Sequence, residues 1–372
     1  MKKKLVISIV FLLFLTGCWG LLELQDVAIV SGVGIDKNNS GEFEITTQTI
    51  NPLAVKEHLP DAFVVRSNTG ITIFDAIRGF IIKAGKKQLW EHVEALIVSS
   101  NIATETIIPV TDFLYRDHEP RPNMFCFITK HNPREILEIK SKAGTLPARA
   151  MKKALEEQSD LAMAPQVEMH TFIENLLNPL SDSFLPIISK GQEDFQILGT
   201  AYFKDDKMVG ELTPIETRSF LRVLDEVEGG LQVIHLPTSN GDQNNFASIE
   251  IKNSKTSLKA KIEQGEPKII ISIKETGVIG DIIIPFELNS STTKELEELY
   301  AKTIKQEITV VIEKIQKKRS NILRFAEVLS RSEKEYWEKH KEQWDEIYAN
   351  LTTEVLVECQ IIHNQMIRNS LK

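Results

Sequence analysis

Residues 195–230, FQILGTAYFKDDKMVGELTPIETRSFLRVLDEVEGG, carry the clearest fold signal in the chain. Residues 195–203 and 208–212 are β-prone runs on either side of a polar turn, so they predict a hairpin. Thr213 then stands where a helix N-cap is expected, and Glu216, three positions later, completes a capping box. The Gly-Gly pair that closes the stretch is typical of residues that follow a helix. The stretch therefore predicts a strand–strand–helix unit.

Upstream of this unit, strands and helices are predicted to alternate. The predicted strands are 27–36, 42–50, 89–99 and 123–129, and the predicted helices are 73–84 and 103–114, with 51–70 as a polar connection. Residues 133–190 are predicted to be mostly helical, with breaks at prolines. The order β-β-α-β-α-β indicates an α/β region built on a small sheet of mixed direction.

Downstream, alternating and helical patterns predict an α+β region. Strands are expected at 246–252, 258–263, 268–275 and 354–362, the first three as an antiparallel meander, and a long helix is expected at 293–318. A capping box of Thr292 and Glu295 is predicted to start that helix. A further helix is predicted from Ser332, and its aromatic residues are expected to lie in the core rather than around a cofactor.

Length and composition indicate a multi-domain globular protein. The chain has 372 residues, of which 42% are hydrophobic and 26% charged, and this allows two or three domains. Its formal charge of −8 argues against nucleic acid as a partner. The predicted divisions are a signal peptide at 1–17, an N-terminal α/β region at 18–190 and a C-terminal α+β region at 191–372. Further splits are expected near residues 132 and 240.

The first residues are typical of an exported lipoprotein. Three lysines precede an apolar run from Leu5 to Leu15, which as a helix would span only ~16 Å and is too short to cross a bilayer. The ending Leu15-Thr16-Gly17-Cys18 resembles a bacterial lipobox. Cys18 is therefore predicted to carry the lipid and to become the mature N-terminus. We expect the product to be anchored to the membrane, with no spanning segment after Cys18.

The other cysteines, and the residues that could perform catalysis, have structural interpretations. Cys126 and Cys359 are predicted to be apolar residues on strands and not a disulfide. Nucleophile-elbow, Cys-x-x-Cys, zinc-protease and phosphate-loop motifs are absent from the sequence. Ser291-Thr292-Thr293-Lys294 matches Ser-x-x-Lys but is interpreted as a helix cap. His118 is the best candidate for a base or metal ligand, and His92 is expected on a strand with its carboxylate neighbours on different faces. We predict no catalytic, cofactor or metal site.

Several motifs resemble those of the Ger(x)C lipoproteins, the C subunits of spore germinant receptors. Cys18-Trp19 followed by Glu23-Leu24 is similar to the start of the family, and Leu114-Tyr115-Arg116-Asp117 is similar to a segment before its last N-terminal strand. The most specific match is Gly199 to Gly210, GTAYFKDDKMVG, in which Gly199, Thr200, Phe203 and Gly210 are the motif positions. Departures occur at Gly20 to Leu22 and at Asn321 to Phe325.

The resemblance implies a non-enzymatic, lipid-anchored subunit on the outer face of the inner spore membrane. It implies that the subunit acts with membrane-spanning A and B subunits in nutrient-triggered germination, and that the fold consists of small α/β domains. It leaves open whether this subunit contacts the germinant. Two other classes are weighed against it: a solute-binding lipoprotein of a transporter, which needs two lobes around a cleft, and a cell-envelope hydrolase, which needs paired catalytic carboxylates.

Overall fold

The structure is a computed structural model that describes residues 27–57, 62–117, 119–139, 146–236, 245–283 and 289–362. The predicted signal peptide, Cys18 and Trp19 lie outside the described residues, as do His118 and the predicted split near residue 240.

The first nine strands of the described residues form one mixed sheet. Its strands are β1 Val27–Lys37, β2 Phe43–Ile50, β3 Phe63–Gly70, β4 Lys87–Leu89, β5 Ala95–Ser99, β6 Phe125–Thr129, β7 Phe184–Lys190, β8 Phe195–Lys204 and β9 Lys207–Leu212. The order is β3-β2-β1-β5-β6-β7-β8-β9, and β4 pairs beside β5 on β1. Pairing is parallel from β1 through β5 and β6 to β7 and antiparallel at both ends. The predicted mixed direction is confirmed.

Seven helices of the described residues connect these strands. They are α1 Pro52–Glu57, α2 Ile73–Ala84, α3 Ser100–Glu105, α4 Ile108–Arg116, α5 Pro133–Leu137, α6 Pro147–Glu156 and α7 Met169–Leu177. Helix α2 has the predicted bounds: the Thr72 side chain accepts from the Asp75 backbone N–H, and Gly85 ends the helix in the left-handed region. The single helix predicted at 103–114 is wrong, because Thr106 is extended and separates α3 from α4.

Three other predictions are wrong where strands are concerned. Residues 63–70, expected in a polar connection, form the edge strand β3, which buries little and so lacks an apolar alternation. Strand β7 lies in a segment expected to be helical, and a register shift accommodates Pro186 there. The strand predicted at 89–99 is two strands, β4 and β5, separated by a turn.

The strand–strand–helix unit of residues 195–230 is confirmed. Strands β8 and β9 pair in antiparallel fashion. Strand β8 also pairs with β7, and the predicted boundary between residues 190 and 191 falls in the turn between these two strands. Helix α8, Pro214–Val223, begins with both hydrogen bonds of the Thr213–Glu216 capping box. It ends earlier than the Gly-Gly pair suggests, since Asp225 turns the chain with a positive φ of 62°.

A second sheet contains β10 Gly230–His235, β11 Phe246–Glu263, β12 Glu266–Ile282 and β13 Thr352–Ile361, in that order. The sequence patterns do not predict strand β10. The three-strand meander is wrong, because 246–252 and 258–263 are parts of one long strand, β11. The polar run between them keeps its backbone paired with β12 despite bulges. Strands β10 to β12 are antiparallel, and β13 is parallel to β12.

The remaining helices are α9 Ser290–Lys317, α10 Phe325–Ser332, α11 Lys334–His340 and α12 Trp344–Ala349. The long helix α9 is confirmed, but Asn289 and not Thr292 is its N-cap. The continuous helix predicted from Ser332 is wrong, since Ser332 ends α10 and a 3₁₀ turn separates α11 from α12. Its aromatic residues do lie in the core, as Trp337, Trp344 and Tyr348 are buried.

One hydrophobic core runs through both regions and a second covers the other face of the first sheet. The larger core includes Val30, Phe203, Ile249 and Tyr300 from the two sheets and α9. The smaller core packs α5 and α6 against β5 and β6, which are buried along their full length. The two sheets with their covering helices confirm the predicted multi-domain mixed α/β and α+β class.

Candidate functional site

A groove of about 580 Å³ lies between α2 and α4 and is lined largely by apolar side chains. We call it the α2–α4 groove and define it by its apolar lining: Phe43, Ile73, Phe74, Ile77, Trp90 and Phe113. Helix α2 carries three of these side chains on neighbouring turns, and β2, α4 and the segment after β4 carry the others. The predicted sites do not include this groove, because its lining converges from separate parts of the chain.

Charged side chains at the groove are largely paired with one another. Lys87 lies 3.2 Å from Glu119. The Arg116 Nε donates to both carboxylate oxygens of Asp112, at 2.8 and 2.9 Å. The charges within these two pairs neutralise each other, whereas Arg78 and Asp117, which also line the groove, have no ion-pair partner among the described residues. Nothing in this arrangement provides a nucleophile next to a base.

A second cluster consists of charged groups in the interior, between α8 and the second sheet. Arg222 and Glu275 are both fully buried and form a two-pronged ion pair, with Nε–Oε2 and Nη2–Oε1 distances of 2.9 and 3.1 Å. The Tyr300 hydroxyl donates to Glu275. Arg222 also donates to Gln232 at 3.0 Å, and Gln232 donates to Glu307 at 2.9 Å. We call these five residues the Arg222 cluster.

The electrostatics of the Arg222 cluster are those of a structural ion pair. Burial alone would lower the pKa of the Arg222 guanidinium, but the charge and hydrogen bonds of Glu275 raise it. Burial, together with the neighbouring Glu275 carboxylate, raises the pKa of the Tyr300 hydroxyl. The Arg222 guanidinium therefore stays charged and the Tyr300 hydroxyl stays protonated. The cluster joins α8, β10, β12 and α9.

Glycines at two motif positions are required by close packing in the β8–β9 hairpin. Gly199 has a φ of +91°, and a Cβ there would come within 2.6 Å of the Leu212 carbonyl oxygen. A Cβ at Gly210 would overlap the ring of Tyr202. These positions are therefore explained by the fold itself.

The other two motif positions attach the hairpin to its neighbours. The Thr200 and Thr217 hydroxyls lie 2.8 Å apart, so β8 is hydrogen-bonded to α8. Phe203 is fully buried, packs edge-on against Phe172 at 5.3 Å and accepts a hydrogen bond at its carbonyl from Ser320. The hairpin is thus a structural junction between the first sheet, α8 and the segment before α10.

The cysteines and histidines of the described residues form no reactive group. Cys126 on β6 and Cys359 on β13 are free thiols, and burial raises the pKa of each. His92 is exposed in the turn before β5, so its predicted position on a strand is wrong. Within the described ranges, no three His, Cys, Asp or Glu side chains are placed to hold a metal ion.

In the same ranges, no helix has both the length and the apolar character needed to cross a membrane.

Comparison with known proteins places both regions in one family. Residues 21–190 match the model described as "Spore germination protein N-terminal domain", and residues 198–365 match "Spore germination B3/GerAC like, C-terminal". The chain belongs to the GerAC family of spore germination proteins. The family membership that the motifs of residues 199–210 indicated is confirmed.

Full-length relatives share the GerAC family architecture. Spore germination protein KC of Bacillus subtilis is 24% identical, over 100% of this chain and 98% of the relative. Spore germination protein B3 of the same organism is 23% identical over 98% of each chain. Spore germination protein GerQC of Bacillus cereus is 22% identical over 96% of this chain and 98% of the relative.

A solved structure shows the same fold. The crystal structure of the GerBC protein superimposes with a TM-score of 0.58 at 20% sequence identity, over 89% of this chain and 97% of that chain. The mixed sheets and their covering helices are thus the GerAC family fold.

Proposed function

We propose that the protein is the lipid-anchored C subunit of a nutrient germinant receptor and acts with membrane-spanning A and B subunits in triggering spore germination. The observation that carries this proposal is the match of two successive family models across residues 21–190 and 198–365. The motif glycines support a scaffold role, because they serve the hairpin junction and no reaction site. The subunit is proposed to be non-enzymatic and to need no cofactor or metal.

The anchor is proposed to act through Cys18. Diacylglyceryl and acyl chains on this residue would hold the protein on the outer face of the inner spore membrane, since two or more chains give stable attachment. Confinement to the membrane plane raises the effective concentration of the subunit near its partners. The folded regions would then present a docking surface to the A and B subunits.

The proposal is tested in spores that carry Cys18→Ala. We expect the protein to leave the membrane pellet and nutrient-triggered germination to fall, while germination by a receptor-independent trigger is kept. The amounts of the A and B subunits are measured alongside, because loss of a partner would mimic loss of the anchor. Cys359→Ala is the matched control, since it removes a thiol far from the lipobox and should leave both readouts unchanged.

Unchanged nutrient response despite complete release of the Cys18→Ala protein from the membrane would contradict the anchor. Retention of the A and B subunits by a tagged, detergent-solubilised C subunit provides the second test. Failure to retain either subunit under conditions that keep A and B together would contradict the assembly and favour the solute-binding lipoprotein.

A further inference from the structure

The outward side of α2 is unusual because it combines exposed apolar side chains with basic ones. We call it the α2 face and define it by Ile71, Phe74, Arg78, Ile81 and Ile82, with Lys83 and Lys86 at its margins. Ile71 is 79% exposed, Ile82 is 88% exposed, and Phe74 and Ile81 are each more than 40% exposed. Phe74, Arg78, Ile81 and Ile82 are three or four positions apart, so they share one side of the helix.

The opposite side of α2 already has its packing partners. Ile73, Ala76 and Phe80 are buried in the larger core, where α2 packs against β2 and β3. The apolar side chains of the α2 face are therefore additional to those that the fold needs. Exposed apolar residues contiguous with a hollow such as the α2–α4 groove are typical of interaction sites.

The basic residues of the α2 face have charges that the described part of the chain leaves unpaired. Among the residues that the structure describes, no carboxylate lies in ion-pair range of Arg78, Lys83 or Lys86. Arg78 lies over the Phe74 ring with its guanidinium carbon 4.7 Å from the centroid, and Lys83 reaches only the Ser67 carbonyl at 3.5 Å. The chain as a whole is acidic, with a formal charge of −8.

The nearby carboxylates differ in their partners. Asp75 accepts from the Ile71 backbone N–H at 3.1 Å, while Glu119 and Asp112 have the basic partners at the groove described above. Asp75 and Asp117 accept only backbone N–H groups among the described residues and keep their charge. Arg78, Lys83 and Lys86 outnumber them, so the surface has a small net positive charge, which complements the negative surface of an anionic membrane.

The chain enters the fold beside this face. Strand β1 begins at Val27, which pairs with Lys87, the residue after Lys86. Cys18 lies nine residues upstream in the sequence. Nine extended residues span at most ~32 Å, so a lipid on Cys18 would keep Val27, and Lys87 beside it, within this distance of the bilayer.

We infer that the α2 face is the surface with which the protein lies on an anionic lipid bilayer. Phe74, Ile81 and Ile82 enter the boundary between headgroups and acyl chains, and Arg78, Lys83 and Lys86 contact lipid phosphates. The inference rests on the proposed anchor and adds an orientation to it.

The inference is tested with the lipidated full chain in vesicles of phosphatidylglycerol and phosphatidylcholine. A fluorophore is attached at Ile82→Cys, and in a separate sample at Val310→Cys, both in a Cys359→Ala background. Val310 is also exposed, at 58%, but lies on α9. We expect lipids that carry a nitroxide near the headgroup to quench the label at position 82 several-fold more than the label at position 310.

Charge reversal tests the basic residues. Arg78→Glu, Lys83→Glu and Lys86→Glu together should reduce quenching at position 82 in anionic vesicles and should have little effect in pure phosphatidylcholine. Reversal of three lysines on β11, Lys252, Lys255 and Lys259, is the matched control and should leave quenching at position 82 unchanged.

The outcomes separate the inference from the anchor. A protein that floats with the vesicles but shows equal quenching at positions 82 and 310 is anchored without using the α2 face, and this overturns the inference alone. Protection of position 82 only when the A and B subunits are co-reconstituted would make the face a protein interface and would also overturn it. A protein that does not float overturns the anchor and the inference together.

Discussion

The Arg222 cluster and the α2 face are opposite solutions to the placement of charge. The cluster puts an arginine and a glutamate in the dry interior and gives each a partner within the chain. The α2 face puts isoleucines in water and leaves its basic residues without acidic partners among the described residues. In the first arrangement both charges have their counter-charge within one chain, so its disruption should lower stability. The second is incomplete, so its disruption should change association and leave stability intact.

The largest effect is expected from Glu275→Ala. This change removes the fully buried partner of the Arg222 guanidinium, leaves only Glu307 at 3.7 Å as counter-charge, and removes the acceptor of the Tyr300 hydroxyl. We expect the free energy of unfolding to fall by about 3–5 kcal/mol, measured by denaturant titration. The matched control is Glu358→Ala, whose lysine partner Lys274 is mostly exposed, and little change is expected there. Equal losses in the two variants would contradict a structural role for the cluster.

A smaller effect is expected from Gly199→Ala. The new Cβ meets the Leu212 carbonyl oxygen at 2.6 Å, and the φ of +91° is unfavourable for alanine. We expect a loss of roughly 1–3 kcal/mol in the free energy of unfolding. Gly265→Ala separates the two causes, since Gly265 has a similar φ of +86° but no atoms within 4 Å of the place that a Cβ would occupy. If both variants lose the same amount, backbone conformation and not close packing explains the motif glycine.

Glu216→Gln should have a modest effect that depends on pH. Partial burial raises the pKa of the Glu216 carboxyl, but Lys314, at 2.7 Å, and the Thr213 backbone N–H lower it further, so the net pKa lies below its ordinary value. Because its pKa is lowered in the folded state, the ionised Glu216 carboxylate stabilises the fold at pH values above the unfolded-state pKa of about 4.3. This contribution is lost as the pH falls through the folded-state pKa.

Denaturant titration across pH provides the measurement for Glu216→Gln. The variant should be less stable at pH 7 by under ~1 kcal/mol, because the pair is partly exposed to solvent. The difference from the natural chain should remain down to about pH 5 and shrink below the unfolded-state pKa. A difference that grows on acidification would show that the sign of the pKa shift is wrong.

The smallest effect on stability is expected from Ile82→Ser. Because Ile82 is 88% exposed, the free energy of unfolding should change by no more than ~0.5 kcal/mol. Phe80→Ala, on the buried side of the same helix, should cost about 3–5 kcal/mol. The serine variant should nevertheless reduce nitroxide quenching of a label at position 81. A large loss of stability in Ile82→Ser would mean that the α2 face is packed within the protein.

The features of the fold that were predictable are those with local chemical causes. Thr213 and Glu216 are three residues apart, and their hydrogen bonds form within one turn, so the start of α8 follows from sequence. The sequence pattern divides β11 in two because Asn253 to Ser257 carry polar side chains. Their pairing depends on β12, whose backbone satisfies the same hydrogen bonds for any side chain.

The predicted lipidation site, Cys18, and the Arg222 cluster differ in the same way. Cys18 is a prediction from adjacent residues and needs no tertiary information. Arg222 and Glu275 are far apart in sequence, and only packing of α8 on β12 brings them together. The burial of Arg222 could have been inferred from sequence, since Arg222 lies between the apolar residues Leu221 and Val223 on a helix. Its partner could not be inferred in this way, because several carboxylates follow in the chain.

The parallel pairing of β13 with β12 has a consequence for biogenesis. Lys268 on β12 pairs with Thr352 on β13, and four helices intervene between these strands. The second sheet therefore cannot be completed until the final strand has been synthesised. A chain that stops before residue 352 would leave Ile269, Ile271 and Ile273 beside an unpaired edge, which is a template for aggregation. Under the proposed export, native folding of this region must wait until β13 has crossed the membrane, so a chain truncated before residue 352 should be insoluble.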